Sequence, residues 1–488
     1  MADIVVPLWV RDAVFYQIFP DRFAKSAQVP KPSNLEAWEA APTTLGFKGG
    51  DLLGVVEHLD YLIDLGVNAI YFTPIFQSAA NHRYHTHDYF KVDPILGGDP
   101  ALRTLLDEAQ RRGIKVVLDG VFNHASRGFF QFNHILENGK RSPYLNWFHV
   151  RSYPLYAYDP ENQPAGYDAW WGLKALPKFN TGTAAVREFL LSVARHWVNF
   201  GIDGWRLDVP NEIDDDGFWQ EFRHVVKSAN PDAYIFGEIW TPAERWLQGD
   251  QFDAVMNYQF TRACIEFFIG SRGDPALWSY GFGSPEPTDA AQFAQRIETL
   301  LNRYDPAITG VMLNLLGSHD MARFISIAGN DMSALRMATL MLMTYPGAPS
   351  IYYGDEIGMK GGRDPANRGA MLWNETRWNK SLRDFTRKAI TLRRLHPALH
   401  GGAFKTLFAN ESVLAYARYT DDELFIALFN VGDSARTVTI PVLDALRDGD
   451  VLRDVWSALS CTVMNRQICD FQVPARTGMV LEKVSTLQ

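Results

Sequence analysis

The sequence predicts an α/β protein: a (β/α)₈ TIM barrel with an insertion domain after its third strand and an all-β domain at the C-terminus. Eight short apolar runs occur along the chain, and helical patterns separate most of them. The runs lack polar–apolar alternation, which is typical of parallel strands covered on both faces. After about residue 400 the pattern changes to short β-like runs with turn residues between them. Eight strand–helix units followed by such runs predict a barrel and a separate β domain.

The elements follow one another in a regular order. The predicted barrel strands are DAVFYQIF, VNAIYFTP, IKVVLDGVF, IDGWRLDV, AYIFGEIW, FDAVMNY, VMLNLLGSHD and PSIYYGDE. The predicted helices repeat apolar residues with the helical period, and they are DLLGVVEHLDYLIDLG, DPALRTLLDEAQRRG, TAAVREFLLSVARHWVNFG, DGFWQEFRHVVKSAN, AAQFAQRIETLLNRY, SALRMATLMLMTYPG and LRDFTRKAITLRRLH. The predicted C-terminal strands include SVLAYARYT, ELFIALFNV, ARTVTIPV and MVLEKV.

One segment interrupts the alternation of strands and helices. Residues 123–181 are rich in Phe, Tyr, Trp, Asn and Pro and show no long helical period, so we interpret them as an insertion domain over the barrel mouth. The predicted domains are therefore a catalytic barrel at 1–122 and 182–399, the insertion domain at 123–181, and a C-terminal β-sandwich domain at 400–488.

Composition narrows the class of partner. The 488 residues carry a formal net charge of -9 and no Lys/Arg-rich run, which argues against nucleic acid or an anionic membrane as a ligand. The three cysteines lack the spacing of a disulfide framework or a zinc site. The first residues lack the features of a signal peptide, and no apolar run is long enough to span a membrane. We expect a soluble cytoplasmic protein with a small, neutral partner.

Polar side chains collect at the carboxyl ends of the predicted strands. They are Asp119, Asn123 and His124 after the third run, Arg206 and Asp208 in the fourth, Glu238 in the fifth, and His319 and Asp320 after the seventh. Each alone is most simply a cap or a satisfied core group. Because a barrel places these strand ends on one rim, the set together predicts a catalytic site.

The chemistry follows from the residue types. No GxGxxG or GxxxxGK[ST] motif indicates a nucleotide cofactor. Glycoside hydrolysis needs one ionised carboxylate and one protonated carboxylic acid. Arg206 and Asp208, two residues apart on one face of a strand, would form an ion pair that keeps Asp208 ionised. Glu238 has no adjacent cation in the sequence and would remain protonated as the acid, although it could equally be a strand-end carboxylate at a helix N-terminus.

Seven motifs resemble those of one enzyme family. DGVFNH, GWRLD, FGEIW and LGSHD look like the four ordered signature regions of glycoside hydrolase family 13, the α-amylase family, and GGDLLG, LPKFN and GDEIG resemble its supplementary regions. LPKFN and VPNEID are most similar to the branch of neopullulanases, cyclomaltodextrinases and maltogenic amylases. That branch usually carries an extra N-terminal β domain, whereas the first strand here begins by about Asp12. We therefore expect that domain to be absent and the protein to be a monomer or a weak homo-oligomer.

The resemblance implies a retaining α-glucan hydrolase that cleaves α-1,4 bonds of cyclodextrins, maltooligosaccharides, pullulan or starch. It implies that Asp208 is the nucleophile, Glu238 the acid/base and Asp320 the third carboxylate. The substrate-binding residues that it implies are Arg206, His124, His319, Tyr84, His85, Asp364, Arg368 and Asp119. A transglycosylase or isomerase on the same site is the main alternative, because acceptor subsites are not visible in motifs. A non-catalytic glucan-binding protein is a further alternative.

Three further sets of residues could bind a ligand. His82, His85 and His87 alternate at strand spacing and could bind a transition metal, but hydrogen bonding to sugar or solvent is the favoured interpretation. Asn123 resembles a calcium ligand of the family, so calcium binding stays open while no cofactor is expected to be required. Aromatic residues of the insertion could pack on sugar faces or form its own core; they are Tyr156, Tyr167, Trp170, Trp171 and Phe179.

Overall fold

The computed structural model describes residues 4–158, 163–278, 283 and 286–484. The chain divides into two units. The first comprises Met1–Trp9, Phe15–Met256 and Arg368–Met371, and the second comprises Val10–Val14, Asn257–Asn367 and Leu372–Gln488. Residues 159–162 of the predicted insertion and 485–488 of the predicted C-terminal domain lie outside the described residues.

A parallel sheet forms the centre of the first unit. The strands of this unit are β1 (Phe15–Ile18), β2 (Ala69–Phe72), β3 (Phe76–Ser78), β4 (Thr86–Val92), β5 (Lys115–Gly120), β6 (Gly204–Leu207), β7 (Tyr234–Gly237) and β8 (Ala254–Val255). The sheet order is β8-β7-β6-β5-β2-β1, and β3 and β4 form a separate antiparallel hairpin. All residues of the six sheet strands except Lys115 are buried, which explains their continuous apolar sequences.

Helices connect these strands, as the period of apolar residues predicts. They are α1 (Pro20–Phe23), α2 (Leu52–Glu57), α3 (Leu59–Leu65), α4 (Gly98–Arg111), α5 (Phe130–Asn138), α6 (Ala184–Phe200) and α7 (Asp216–Ala229). Short 3₁₀ helices occur at Pro94–Leu96, Gly139–Arg141, Leu145–Trp147, Trp170–Gly172 and Pro210–Glu212. The side chain of Asp215 caps α7 by accepting a hydrogen bond from the Phe218 N–H.

The second unit contains two further parallel strands, β9 (Leu313–Leu315) and β10 (Ala348–Tyr352). Its helices are α8 (Tyr258–Cys264), continued by a π-helix at Ile265–Ile269, then α9 (Pro275–Trp278), α10 (Ala290–Leu301), α11 (Pro306–Thr309), α12 (Phe324–Ile327), α13 (Met332–Thr344), α14 (Lys380–Leu395) and α15 (Pro397–His400). Eight parallel strands, six in the first unit and two in the second, make up the barrel sheet. The predicted (β/α)₈ barrel is confirmed.

The C-terminal part of the second unit is all-β, as predicted. Its strands are β11 (Ala403–Asn410), β12 (Val413–Tyr419), β13 (Leu424–Asn430), β14 (Arg436–Pro441), β15 (Val451–Asp454), β16 (Ser460–Met464), β17 (Gln467–Val473) and β18 (Thr477–Lys483). They pair in the order β11-β12-β13-β18-β15-β16-β17-β14. Alternate residues of these strands, among them Ile426, Leu428, Ile468 and Leu481, form a buried apolar cluster. None of the described helices is both long and apolar enough to cross a membrane.

Candidate active site

The register of three neighbouring strands brings the polar strand-end residues together. Asp119 of β5 lies opposite Arg206 of β6. The backbone N–H of Asp208 donates to the carbonyl of Gly120 (3.1 Å), and that of Glu238 donates to the carbonyl of Leu207 (2.9 Å). The hydrogen-bonded ladder thus continues past β6 and β7 and fixes the backbone of both carboxylic residues. Asp119, Asp208 and Glu238 therefore share the carboxyl ends of β5, β6 and β7.

The guanidinium of Arg206 is the centre of this cluster. Its Nη1 donates to Asp208 Oδ1 at 2.9 Å and to Asp119 Oδ1 and Oδ2 at 3.0 and 2.9 Å. Its Nη2 lies 2.7 Å from Glu238 Oε2. The side chains of Arg206 and Asp119 have no solvent exposure, and those of Asp208 and Glu238 have 8% and 7%. The predicted pairing of Arg206 with Asp208 is confirmed, and one cation contacts three carboxyl groups.

These contacts correct one step of the sequence reasoning. The sequence predicts no cation beside Glu238, but Arg206 Nη2 forms an ion pair with it. The two residues are far apart in sequence, and the pairing of Leu207 with Gly237 brings them together. Proximity in sequence is therefore the wrong basis for assigning opposite protonation states to Asp208 and Glu238.

Burial controls the protonation of the cluster. It raises the pKa of Asp119 to about 7, against the lowering effect of the Arg206 charge. Burial also raises the pKa of Asp208 well above its usual range, and the charges of Glu238 and Asp119 add to this while Arg206 opposes it. The Arg206 charge therefore favours the ionised form of Asp208 but acts against burial and two neighbouring carboxyl groups. Asp119 and Asp208 therefore bind protons at higher pH than free carboxyl groups do.

The hairpin β3–β4, which the sequence analysis did not predict, carries the loop with Tyr84. The Tyr84 hydroxyl donates to Asp119 Oδ2 at 2.9 Å, and the Arg206 guanidinium lies over its ring at 6.0 Å. Arg83, next to it, is buried with a left-handed backbone (φ 59°). Its guanidinium pairs with Asp93 at 3.4 Å and with Asp21 at 3.6 Å. Arg83 therefore anchors the loop that positions Tyr84 against the carboxylate cluster.

Two contacts to Glu238 come from residues that sequence reasoning missed. The indole N–H of Trp240 donates to Glu238 Oε1 at 3.0 Å, and the backbone N–H of Val209 donates to Glu238 Oε2 at 3.3 Å. Val209 has a left-handed backbone (φ 36°, ψ 51°), which is costly for a β-branched residue. The strained residue directly follows Asp208, so the turn that it forms holds both carboxyl groups in place.

The buried His124 and the half-buried His85 lie next to Tyr84. Burial, with the charge of His85, lowers the pKa of His124 to about 3, and burial lowers the pKa of His85 to about 4. Nδ1 of His124 lies 3.2 Å from the amide nitrogen of Asn123. Both rings are thus neutral at physiological pH and are suited to hydrogen bonding with sugar hydroxyls.

The described histidine, cysteine and acidic side chains do not form a metal site. Across residues 4–158, 163–278, 283 and 286–484, no three or more His, Cys, Asp or Glu side chains are arranged to hold a metal ion. This applies to His82, His85 and His87, whereas calcium binding at Asn123 stays a prediction. The ring of His82 instead packs against His85 (5.0 Å), and its Nδ1 accepts the Tyr84 N–H at 3.2 Å.

The aromatic residues of the insertion serve different purposes. Tyr167 and Phe179 are buried, with the Tyr167 ring 4.8 Å from Phe132 and the Phe179 ring stacked on Phe148 at 5.3 Å. For these two the alternative of a local core is correct. Trp170 instead stacks on His124, with ring centroids 5.4 Å apart and an interplanar angle of 20°.

The remaining predicted site residues are His319, Asp320 and Asp364 in the second unit and Arg368 in the first. In the second unit, Nε2 of the buried His319 lies 3.3 Å from Asp320 Oδ1, and the His319 carbonyl accepts a hydrogen bond from the Asn367 amide at 2.7 Å. Asp364, also in the second unit, is exposed. Arg368, in the first unit, is half-buried with its guanidinium over the Phe19 ring at 5.6 Å. These contacts do not test the predicted roles of the four residues, which stay predictions.

Comparison with family models divides the chain into two matched regions. The model of the alpha amylase catalytic domain matches residues 17–394, and the model of the neopullulanase-like C-terminal domain matches residues 404–477. The first match covers more than half of the chain and includes every residue of the Arg206 cluster.

Individual proteins are similar over most of their length. A cyclomaltodextrinase from Bacillus sp. is 46% identical over 436 residues, covering 88% of this chain and 75% of that protein. Among solved structures, the protein Ttha1563 from Thermus thermophilus superposes with a TM-score of 0.94 at 47% identity, over 98% of this chain and all of that one. A debranching enzyme from Nostoc punctiforme, in an acarbose-soaked crystal, has a TM-score of 0.88 at 48% identity over the same shares.

Proposed function

The chain belongs to the α-amylase family of glycoside hydrolases, and from this premise we propose that it is a retaining hydrolase of α-glucans with Asp208 as nucleophile and Glu238 as acid/base. The observation that carries the proposal is the Arg206 guanidinium, which contacts Asp208 on Nη1 and Glu238 on Nη2. Both carboxyl groups are thereby held beside one another at the ends of adjacent strands. A retaining mechanism needs such close carboxyl groups, because one must bond to the sugar while the other protonates the leaving group.

The reaction proceeds in two displacements. A carboxylate oxygen of Asp208 attacks the anomeric carbon, and the glycosidic C–O bond breaks as Glu238 transfers its proton to the leaving oxygen. In the second step Glu238 removes a proton from water, and the water oxygen displaces Asp208 to give a product with the α configuration. Val209 and Trp240 orient the carboxyl of Glu238 through their N–H groups during both steps.

Sugar recognition is proposed around this pair. Tyr84, held by Asp119, would offer its ring to the sugar, while the neutral imidazoles of His85 and His124 would bind its hydroxyls. The His124 Nε2 atom is buried without a protein hydrogen-bond partner, which leaves it available for a ligand oxygen. Asp320 is proposed as the third carboxylate, and His319, Asp364 and Arg368 as further sugar contacts.

Two bond types are candidates for cleavage. The similarity to a cyclomaltodextrinase favours α-1,4 bonds in cyclodextrins, maltooligosaccharides, pullulan or starch. The similarity to a debranching enzyme, at 48% identity over the whole of that chain, favours α-1,6 bonds at branch points as a second candidate. The shared cluster can hydrolyse either bond, since the attacked anomeric carbon is the same in both.

A product time course on β-cyclodextrin, pullulan, maltotriose and amylopectin, with Asp208→Asn as control, separates these candidates. Linear maltooligosaccharides from β-cyclodextrin, and panose from pullulan, would support α-1,4 cleavage. Release of linear chains from amylopectin and of maltotriose from pullulan would support α-1,6 cleavage. Products longer than maltotriose from maltotriose alone would instead indicate a transglycosylase. Undiminished turnover by Asp208→Asn would contradict the proposed nucleophile.

We further propose that catalysis requires no metal ion. Protein groups position the carboxyl groups of the cluster, namely those of Arg206, Tyr84, Val209 and Trp240. Dialysis against EDTA should therefore leave the rate unchanged, and a loss restored by calcium would contradict this. We propose a cytoplasmic location because Cys264, Cys461 and Cys469 are all free thiols. A monomer or weak homo-oligomer is proposed as well, which light scattering over a concentration series can test.

A further inference from the structure

Exposed aromatic side chains are concentrated in one part of the molecule. Among the described Phe, Tyr and Trp residues, those that are largely exposed are Phe130 (64%), Tyr158 (66%) and Trp171 (65%). All three belong to residues 123–181. Exposing a large aromatic ring forgoes the free energy of its burial, so their shared location suggests a ligand for this surface.

The three rings differ in what they contact. The Phe130 ring has edge contacts with His134 and Tyr144, at 6.1 and 5.9 Å. The Tyr158 ring is covered by the Arg127 guanidinium at 4.2 Å. Trp171 instead lies parallel to the indole of Trp170, with centroids 4.5 Å apart and an interplanar angle of 12°.

Trp171 is the outer member of a stack that begins at the candidate active site. His124, which is 1% exposed, forms the inner end, Trp170 lies on it, and Trp171 lies on Trp170. The stack therefore runs from a residue proposed to bind the reacting sugar to the protein surface.

The backbone at Trp171 adds a second observation. Its φ of 50° and ψ of 24° are left-handed and interrupt the 3₁₀ helix that contains it, and the following Gly172 also has a positive φ of 73°. A non-glycine residue in this conformation costs about 1 to 3 kcal/mol. The strained turn places the indole parallel to Trp170 while most of its surface stays in solvent. Folding alone does not account for a side chain that is both strained and exposed.

We propose that Trp171 is a binding platform for one glucose unit of an α-glucan chain, while the bond to be cleaved lies at the Asp208–Glu238 pair. The platform therefore gives the enzyme a preference for longer chains. The proposal rests on the proposed function, since it takes the ligand to be an α-glucan. The apolar face of a glucose ring packs on an indole face in the same way as another aromatic ring. Since Trp171 lies two stacking steps outward from His124, the glucose unit on it would be a different one from the unit that His124 binds.

The test measures glucan binding by calorimetry in the full-length Asp208→Asn variant, which keeps the site but should not turn substrate over. The affinity for maltoheptaose relative to that for maltotriose should fall about 2- to 10-fold when Trp171→Ala is added, the range expected for one aromatic contact. Trp171→Phe should restore the ratio, because it keeps a flat ring. Tyr158→Ala is the matched control, since its equally exposed ring is covered by Arg127, and it should leave the ratio unchanged.

The outcomes separate the platform from the proposed function. If Asp208→Asn binds maltoheptaose and Trp171→Ala leaves the ratio unchanged, the platform is wrong while an α-glucan ligand stands. An equal loss for both sugars, or an equal change with Tyr158→Ala, would also overturn the platform. If the parent variant binds neither sugar and the wild-type protein cleaves none of the test glucans, the proposed function fails and the platform with it.

Discussion

Replacing Arg206 by methionine removes the guanidinium that contacts Asp119, Asp208 and Glu238, and the resulting loss of stability should depend on pH. The side chain is fully buried, and removing one partner of a buried ion pair costs about 3 to 5 kcal/mol. The charge of Arg206 also opposes the effect of burial on the pKa of Asp119 and Asp208. Without Arg206 the pKa values of Asp119 and Asp208 rise further. Each added pKa unit costs about 1.4 kcal/mol for each carboxyl that must ionise. We expect a loss of about 3 to 5 kcal/mol at pH 7.5.

The sign of the pH dependence follows from the raised pKa of Asp119. Its value is about 7 in the folded protein against 3.8 normally. Such a group contributes stability that is fully present below its unfolded pKa and is lost as the pH rises through its folded pKa. At pH 5 the folded carboxyl is protonated with or without Arg206, so the penalty of the substitution should shrink to about 1 to 2 kcal/mol. Turnover should be lost at either pH, because Asp208 then lacks the cation that favours its ionised form.

Urea unfolding at pH 5 and pH 7.5, followed by tryptophan fluorescence, measures this difference. Arg418→Met is the matched control, because Arg418 is equally buried but donates to the carbonyls of Leu399 (2.8 Å), Gly402 (3.0 Å) and Ala403 (3.3 Å). Burial lowers the pKa of Arg418 to about 10, so it stays charged at both pH values and its penalty should be the same at both. An equal loss of unfolding free energy for Arg206→Met at the two pH values would refute the role given to the cluster's carboxyl groups. The same pH dependence in Arg418→Met would refute it as well.

Three further predictions concern the neighbours of the carboxylate cluster. The imidazole signals of His85 and His124 should not titrate between pH 5 and 8 in NMR spectra, because the pKa of each is lowered to about 4 and about 3. Because these pKa values are lowered, the unfolded chain takes up protons that the folded protein does not, and the free energy of unfolding should fall as the pH drops below 6.5, by about 2 kcal/mol per histidine at pH 5. A histidine signal that shifts near pH 6.5 would contradict both the NMR and the stability prediction. Val209→Gly should relieve the left-handed strain and raise the free energy of unfolding by about 1 kcal/mol while lowering kcat; lower stability in urea would show that the conformation is not strained. Trp240→Phe removes the indole N–H from Glu238 and should lower kcat/KM about 10- to 100-fold with little change in Tm, so an unchanged kcat/KM would remove Trp240 from any role in orienting Glu238.

The sequence was sufficient to predict which strands form the barrel and which residues end them. Arg206 and Asp208 share a face because side chains alternate along a strand, and that rule needs no tertiary information. Glu238 and Asp119 were found because barrel strands end on one rim. The hairpin β3–β4 was missed because β3 has only three residues and the sequence between its strands is rich in polar residues.

The charge pattern of the site could not be predicted in the same way. The ion pair of Arg206 with Glu238 depends on the register of β6 against β7, which no local pattern specifies. The left-handed backbones of Val209 and Trp171 were also invisible, since neither is a glycine or asparagine that would indicate a positive φ. These features depend on tertiary contacts that the local sequence does not encode.

Trapping the glycosyl-enzyme tests the roles of Asp208 and Glu238 most directly. In Glu238→Gln, α-maltosyl fluoride can still transfer its maltosyl group, because fluoride leaves without an acid, but the variant lacks the base that activates water for the second step. Mass spectrometry of the intact protein should therefore show one added maltosyl group, and peptide mapping should place it on Asp208. Attachment to Asp119 or Asp320 would contradict the assignment of the nucleophile, and first-formed products with the β configuration, without any adduct, would contradict the retaining mechanism itself.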